Sequence, residues 1–137
     1  MSIETLSEQL LRHEGIRLKP YRDTTGHLSI GIGRNLDDTG IFEDEALMML
    51  TNDIARFRRQ LSDIFLFNLL TINRQNVLVN MCFNLGYEGL MGFKKMWKAI
   101  EDYDFEKAAD EMLKSKWAEQ VGRRAKELAK IMRTGMV

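Results

Sequence analysis

The chain has 137 residues, of which 45% are hydrophobic and 29% charged, and its only cysteine is Cys82. This length predicts a single globular domain with an apolar core, and one cysteine excludes an internal disulfide. The longest apolar tract, residues 64–70, is far shorter than the about 20 residues of a membrane-spanning helix, which excludes membrane insertion.

The net charge of zero conceals an uneven distribution along the chain. Residues 1–55 hold five Lys/Arg and ten Asp/Glu, whereas residues 112–137 hold seven Lys/Arg and two Asp/Glu. A basic segment of this kind either binds nucleic acid or an anionic polymer such as the cell wall, or forms a solvated helix face that attracts the acidic part of the chain. The charge pattern favours neither interpretation.

The first predicted elements are an amphipathic helix and a small sheet. Apolar residues recur at helical spacing through the first dozen residues, and Gly15 is a suitable helix stop before Pro20. Over residues 27–33, after a turn at Thr25-Gly26, apolar residues alternate with polar ones or glycine, which predicts a hairpin or a three-stranded sheet. Alternating glycines predict that another surface approaches this sheet closely.

The rest of the chain is predicted to be helical. Residues 43–61 form one long helix, and the strongly apolar residues 73–85 form the central core helix. A loop punctuated by glycines follows, at Gly86, Gly89 and Gly92. Shorter helices are then predicted at about 93–101, 105–114 and 123–132, with Asp104 as a cap and Gly122 as a break.

The predicted fold class is therefore α+β and mostly helical. We expect one domain over residues 1–137, with a small β-hairpin lobe at about residues 15–60. A larger helical lobe would comprise about residues 61–137 and the N-terminal helix, which suggests a cleft between the lobes. Cys82 stands among apolar neighbours and is expected to be a buried, inert thiol.

Glu14 stands near the C-terminal end of the first predicted helix. Unpaired carbonyl groups make this end negative, so that an ionised carboxylate is disfavoured there by roughly 0.3–1 kcal/mol. This field favours the protonated form that a general acid needs near neutral pH. A glutamate near a helix end is also commonly an ordinary surface residue.

Asp23 and Ser29 supply two further polar groups close to Glu14 in the sequence. A helix end that turns directly into a hairpin can place Glu14 and Asp23 across a narrow gap, and glycoside hydrolysis needs such a pair of carboxyl groups. An inward hydroxyl at Ser29 would hold the attacking water. The alternatives are a turn residue that bonds its own backbone at Asp23 and a simple polar strand position at Ser29.

Three runs of residues carry a resemblance to a known family. The chain reads His13-Glu14-Gly15-Ile16-Arg17-Leu18, then Tyr21-Arg22-Asp23-Thr24-Thr25-Gly26, then Ser29-Ile30-Gly31-Ile32-Gly33. In this order the runs resemble the phage-type lysozymes, also called endolysins or glycoside hydrolase family 24. Further similarity in the central helix and the C-terminal region extends the resemblance over nearly the whole chain.

The resemblance implies a lysozyme-like fold with the active site between the lobes. It also implies a bacteriolytic activity that cleaves the β-1,4 bond from N-acetylmuramic acid to N-acetylglucosamine in peptidoglycan. Glu14 would be the general acid, and Asp23 with Ser29 would position the attacking water, giving inversion. Arg124 matches an arginine that pairs with the catalytic glutamate, and this pair would favour the ionised form of Glu14, against the helix-end effect.

Other matched positions are implied to form the cleft. Phe83, Asn84 and Met96 match residues that line it, although each is also commonly a core or loop residue. Trp117 and Gln120 would support the cleft from behind.

Two positions depart from the family pattern. Ser29 replaces a threonine, so the hydroxyl remains while the β-branch that restricts its rotamers is lost. Arg34 replaces a common histidine, and it would still pair with an acid if the position is structural.

Three alternatives to the hydrolase stay open at this point. A lytic transglycosylase cuts the same bond without water and does not need Asp23, and a non-catalytic module would bind peptidoglycan or a protein through the same cleft. A nucleic-acid binder would need the aromatic interleaving that the basic segment lacks.

We expect a monomer without cofactor or metal, because two histidines and one cysteine do not supply a structural zinc site. The N-terminus lacks the pattern of a secretory signal. We therefore expect synthesis in the host bacterial cytoplasm and action on the cell wall after release through a membrane lesion, in host cell lysis.

Overall fold

A computed structural model describes residues 2–137 of the chain. Within these residues the protein is 65% helical, with eight helices and one three-stranded antiparallel sheet. The predicted α+β, mostly helical and lysozyme-like fold class is confirmed. The elements in chain order are α1 (Leu6–Glu14), β1 (Arg17–Arg22), β2 (Leu28–Gly31), β3 (Arg34–Asn35), α2 (Glu43–Leu61), α3 (Phe65–Leu69), α4 (Ile72–Met91), α5 (Lys94–Glu101), α6 (Phe105–Leu113), α7 (Lys116–Val121) and α8 (Arg123–Thr134).

The chain divides into two compact units. The first extends to Leu50 and the second runs from Thr51 to Val137, so that α2 contributes residues to both. The expected single catalytic domain, with lobes that divide near residue 60 and an active site between them, stays a prediction. Met1, which that range includes, lies outside the described residues.

Local capping determines where α1 begins and ends. Thr5 accepts a hydrogen bond from the Glu8 backbone N–H at 3.1 Å, and Glu8 accepts one from the Thr5 N–H at 3.2 Å, which completes a capping box. Gly15 follows the helix with a φ of 71°, a left-handed value that glycine adopts without strain. The predicted stop at Gly15 is confirmed.

The sheet has the order β1-β2-β3, with both pairs antiparallel. Tyr21 pairs with Ser29 across the first pair, and Ser29 pairs with Asn35 across the second. The predicted three-stranded sheet is therefore confirmed, with Ser29 on its central strand.

An ion pair joins the end of this sheet to the start of α2. The Arg34 guanidinium donates two hydrogen bonds to the Glu45 carboxylate, at 2.7 and 2.6 Å, and a third to the Gly40 carbonyl at 3.2 Å. The Glu45 carboxylate also accepts from the Phe42 N–H at 2.9 Å. Arg34 thus pairs with an acid, as expected for a structural position.

The apolar core lies in the second unit, where α4, α5, α6 and α8 contribute most of the buried side chains. The largest fully buried residues are Leu61, Leu78, Met81, Leu90, Met96, Ile100, Met112 and Met132. Cys82 is buried among them, and burial raises the pKa of its thiol to about 11, so that it remains protonated. The predicted inert thiol is confirmed.

The helix break predicted after residue 85 is confirmed by the non-helical backbone at Gly86, but the loop predicted from Gly86 through Gly89 to Gly92 is wrong. α4 bends at Gly86, where φ is 69°, but the helix resumes and continues to Met91. A glycine in a helix costs roughly 1 kcal/mol relative to alanine. Leu90 in this segment is fully buried, and a buried leucine contributes about 1.5–3 kcal/mol, so packing outweighs helix propensity.

Two short helices, α3 and α7, were not predicted. α3 has five residues and α7 has six, which is too short for a helical period to be recognised. α7 did carry a local signal, because Ser115 accepts a hydrogen bond from the Ala118 N–H at 3.1 Å as an N-cap. The expected cap at Asp104 is confirmed by its 3.0 Å bond from the Lys107 N–H.

The first turn of α4 holds the C-terminal end of α8. Arg74 donates hydrogen bonds to the carbonyls of Met132 and Arg133, at 2.7 and 3.2 Å, and its guanidinium stacks over the Phe105 ring at 3.6 Å. The last carbonyls of a helix lack partners within the helix, so this side chain satisfies them. Across residues 2–137, no helix is long and apolar enough to cross a membrane.

Candidate active site

Glu14 is the last residue of α1, and its side chain lies against the turn between β2 and β3. A Cβ placed on Gly33 would stand 3.0 Å from Glu14 Oε2 and 3.1 Å from its Cδ. Gly33 therefore leaves the space that the carboxyl group occupies, and its φ of 75° also suits glycine. This contact confirms the expected close approach at one of the alternating glycines.

Asp23 stands in the turn that joins β1 to β2. Its Oδ1 accepts three hydrogen bonds, from the Thr25 N–H at 2.9 Å, the Thr25 hydroxyl at 2.8 Å and the His27 N–H at 2.9 Å. The backbone bonds are those of a residue that stabilises its own turn. Because all three bonds use Oδ1, Oδ2 accepts none of them and remains available to another donor.

These bonds favour the ionised form of Asp23. The Thr25 hydroxyl contributes most and the His27 backbone N–H next, and together they lower the pKa of the Asp23 carboxyl below its usual range. Asp23 is partly exposed, with 32% of its side-chain surface accessible. A half-exposed, ionised carboxylate with one uncommitted oxygen can accept a proton or orient a water molecule.

Ser29 lies on β2 and is 2% exposed, the one buried polar side chain among residues 2–137. Successive side chains of a strand point to opposite faces, and paired residues share a face. Tyr21 pairs with Ser29, so these two side chains share a face, and Asp23 follows Tyr21 by two residues, just beyond the end of β1. The strand pairing therefore places Ser29 close in the sheet to the turn that holds Asp23, and their joint action on a water stays a prediction.

Glu14 and Asp23 meet the two ends of the same strand. Asp23 stands in the turn before β2, and Glu14 lies on the turn after it, with Ser29 on the strand between them. The four residues of β2 span roughly 10 Å at about 3.4 Å per residue. The first unit thus has one carboxyl group near each end of β2, and the roles predicted for Glu14, Asp23 and Ser29 stay predictions.

Arg124 lies on α8 in the second unit, where it contacts α4. Its Nε donates to Asn80 Oδ1 at 3.0 Å, and its Nη2 donates to Asn80 Oδ1 and to the Asn80 carbonyl at 2.6 and 3.1 Å. These bonds leave Nη1 uncommitted. The structure thus gives Arg124 a neighbour on α4, and its pairing with Glu14 stays a prediction.

The residues predicted to line the cleft have different environments within the second unit. Phe83 is 39% exposed and packs edge-on against Phe57 with ring centroids 5.2 Å apart. Asn84 is exposed and accepts a hydrogen bond from Trp117 Nε1 at 3.3 Å. Met96 is 0% exposed and belongs to the core, and its predicted place in a cleft lining stays a prediction.

Trp117 and Gln120, which were predicted to support the cleft from behind, differ in their exposure to solvent. Trp117 is 3% exposed and lies edge-on to Phe93 with centroids 6.2 Å apart, which is a core environment that also orients Asn84. Gln120 is exposed. Within the described part of the chain, no group of three or more His, Cys, Asp or Glu side chains is arranged to hold a metal ion.

Sequence reasoning missed the residues that support the carboxyl groups. It did not predict that Gly33 contacts the Glu14 carboxyl group. It also did not predict that Thr25 and His27 donate hydrogen bonds to Asp23. The alternating glycines were a signal for the first contact, without naming the side chain that approaches. An aspartate followed two residues later by a threonine is a sequence signal for a local turn. The two hydrogen bonds from Thr25 to Asp23 Oδ1 form a turn of this kind.

The fold is lysozyme-like, with Glu14 at the end of α1 and Asp23 in the turn after β1. The family model for phage lysozyme matches residues 11–133. The chain belongs to the phage lysozyme family and is a lysozyme-type glycoside hydrolase whose substrate is peptidoglycan.

Individual relatives agree with this assignment. The chain is 27% identical to a probable T4-type lysozyme 2 of Dictyostelium discoideum, over 97% of this chain and 96% of that protein. A probable T4-type lysozyme 1 of the same organism is 25% identical over the same shares of both chains. The pre-baseplate central spike protein Gp5 of Enterobacteria phage T4 is 29% identical over 96% of this chain but only 28% of its own length.

Proposed function

We propose that the protein hydrolyses the β-1,4 bond from N-acetylmuramic acid to N-acetylglucosamine, with Glu14 as the general acid. Asp23 and Ser29 position the attacking water, and the reaction inverts the anomeric configuration. The observation that carries this proposal is the hydrogen bonding of Asp23, in which Oδ1 is saturated and Oδ2 is left for a water. The bond, the residue roles and the stereochemistry are proposed together.

Glu14 suits the role of the acid because its side chain is exposed to solvent and its carboxyl group is held against Gly33. It is the last residue of α1, and Gly33 leaves the space that the carboxyl group occupies. A glycosidic oxygen placed beside Glu14 would lie within reach of the carboxyl group that donates the proton in this proposal.

Inversion requires a wider spacing of the two carboxyl groups than retention does. Inverting glycosidases keep their carboxyl groups about 6.5–9.5 Å apart to admit a water, whereas retaining ones need about 5–5.5 Å. Glu14 and Asp23 approach β2 from its two ends, which are roughly 10 Å apart along the strand. Ser29 lies between them, where its hydroxyl would share the water with Asp23.

The test is to incubate the purified protein with purified peptidoglycan and to identify the released fragments by mass spectrometry. We expect muropeptides with hydrated reducing ends at N-acetylmuramic acid, and proton NMR of fresh product should show the α anomer first. Anhydro ends would identify a lytic transglycosylase, and no fragments from a folded sample would identify a binding module. Either result contradicts the proposal.

The matched variants are Glu14→Gln and Asp23→Asn, each of which removes a carboxylate and preserves its shape. Both should lower the rate of fragment release by roughly 100-fold or more, since general acid–base catalysis contributes about 10²–10⁴-fold. Glu101→Gln is the control, because Glu101 is 58% exposed and pairs only loosely with Lys98. Full activity of folded Glu14→Gln would contradict the assignment of the acid.

The cellular role follows as part of the same proposal. A phage-type lysozyme that cuts glycan strands contributes to lysis of the host bacterium once a membrane lesion gives it access to the wall. We propose that it acts as a monomer and that the basic residues 112–137 meet the anionic wall rather than nucleic acid.

A further inference from the structure

Three side chains form a connected chain of hydrogen bonds in the β1–β2 turn. His27 Nδ1 lies 2.6 Å from the Thr25 hydroxyl oxygen, which lies 2.8 Å from Asp23 Oδ1. The proposed mechanism uses only the last of these residues. The other two are neither assigned to the reaction nor required by the hairpin backbone, whose bonds are made by N–H and carbonyl groups.

Counting protons gives each bond a direction. The pKa of Asp23 is lowered, so its carboxylate is ionised and can only accept. The Thr25 hydroxyl has one hydrogen, which must point to Asp23 Oδ1. The His27 ring must then carry a hydrogen on Nδ1 and donate it to the Thr25 oxygen.

We propose that Thr25 and His27 are positioning residues for Asp23, which together hold Oδ1 and leave Oδ2 directed to the attacking water. This inference rests on the proposed function of Asp23. The Thr25 hydroxyl is the direct contact, and the His27 imidazole orients that hydroxyl by occupying its oxygen. A carboxylate held by one oxygen keeps a single rotamer, which places the other oxygen with less loss of conformational freedom.

The surroundings of His27 allow this arrangement in both of its charge states. Its Nε2 lies 3.6 Å from Asp38 Oδ2, its Nδ1 lies 3.9 Å from Asp23 Oδ1, and an Arg22–Asp37 pair at 3.7 Å flanks the same hairpin. Protonation adds a hydrogen at Nε2, on the side of Asp38. The hydrogen on Nδ1 is present before and after, so the bond to Thr25 does not depend on the charge of His27.

The first test compares Thr25→Val with Thr24→Val in the full-length protein. Both substitutions replace a hydroxyl by a methyl group on neighbouring exposed residues, but only Thr25 bonds Asp23. With solubilised, uncrosslinked glycan chains as the substrate, we expect Thr25→Val to lower kcat roughly tenfold and to change KM less than twofold, because positioning acts on the chemical step. Thr24→Val should match the unmodified protein, and Thr25→Ser should restore kcat.

The pH dependence of kcat/KM distinguishes a positioning role of Thr25 from a purely structural one, because loss of a purely structural contact would not shift this dependence. The Thr25 hydroxyl is the largest cause of the lowered pKa of Asp23, so its loss raises that pKa toward the usual range. The acid limb of kcat/KM should therefore shift to higher pH in Thr25→Val and return in Thr25→Ser. An unshifted limb in a folded Thr25→Val protein would overturn the role of Thr25.

A second pair of variants tests His27 independently. His27→Asn keeps an N–H donor within reach of Thr25 and should retain kcat within about threefold, whereas His27→Phe removes the donor and should lower kcat as Thr25→Val does. Equal kcat values for the two would overturn the role of His27.

If Asp23→Asn is inactive while both Thr25→Val and His27→Phe are fully active, the positioning proposal fails and the proposed function stands. If Asp23→Asn is fully active, the proposed function of Asp23 itself fails.

Discussion

Gly33 illustrates how a residue without a side chain can determine the position of a neighbouring carboxyl group. Its backbone has a left-handed φ of 75°, and the Glu14 carboxyl group occupies the space where a Cβ would stand. Gly31 has nearly the same φ, 72°, but an added Cβ there would meet no atom within 4 Å. Substitution of Gly31 therefore introduces backbone strain alone, whereas substitution of Gly33 introduces the same strain and also a contact with the Glu14 carboxyl group.

We expect Gly33→Ala to reduce activity far more than Gly31→Ala. Both changes force alanine into the left-handed region and should lower the free energy of unfolding by similar amounts, about 1–2 kcal/mol. Only Gly33→Ala displaces the flexible end of Glu14, so kcat should fall roughly tenfold or more, by analogy with other small displacements of a catalytic group. Thermal unfolding and fragment-release rates measure the two effects, and equal kcat values in the two variants would contradict the prediction.

At the scale of elements, the Arg34–Glu45 ion pair ties the small sheet to α2. Glu45 accepts two charge-assisted bonds from Arg34 and one backbone bond from Phe42, and these lower its pKa to about 2. The same pairing raises the pKa of Arg34, with the Glu45 hydrogen bonds as the largest cause. The sequence led us to expect an acidic partner for Arg34, but it did not identify Glu45 as that partner.

The ion pair predicts a pH-dependent contribution to stability. Because the pKa of Glu45 is depressed in the folded state from an ordinary value of 4.5 to about 2, its contribution is present above pH 4.5 and is lost as the pH falls to about 2. The difference in Tm between the unmodified protein and Glu45→Gln should therefore be largest near neutral pH and vanish near pH 2. Glu43→Gln, in the same first turn of α2, is the control and should show no such trend.

Helix prediction along the chain succeeded where local signals sufficed. α2 has the predicted bounds, because acids in its first turn and a regular apolar period mark it clearly. The error at residues 87–91 has the opposite origin, since burial of Leu90 outweighs the glycines that flank it. Element type follows from local periodicity, whereas the continuation of a helix past glycine depends on packing.

At the scale of the whole molecule, the two units differ in how they are stabilised. Among the described residues up to Leu50, only Ser29 is buried, so that the first unit relies on turns, strand pairing and ion pairs. The second unit contains the apolar core. Surface ion pairs contribute about 0–1 kcal/mol each, whereas each buried leucine or methionine contributes about 1.5–3 kcal/mol.

We expect hydrogen exchange to reveal this difference directly. Amide groups in α4 and α8 should exchange roughly 100-fold more slowly than those of α1, because local opening requires less free energy where few apolar contacts must be broken. Mass spectrometry of peptic fragments after timed exposure to deuterated water measures it. Similar protection of α1 and α4 would show that the first unit opens only together with the core.

The sequence by itself determined the fold class, the stop of α1 at Gly15, the small sheet and the order Glu14, Asp23, Ser29. These features depend on residues close together in the chain, so turn residues and apolar periodicity in the sequence are enough to predict them. Only the tertiary structure decided that Gly33 receives Glu14, that Arg34 pairs with Glu45 and that Arg74 holds the end of α8. Such contacts join residues distant in the chain, and their pairing depends on the packing of whole elements, which leaves no periodic signal in the sequence.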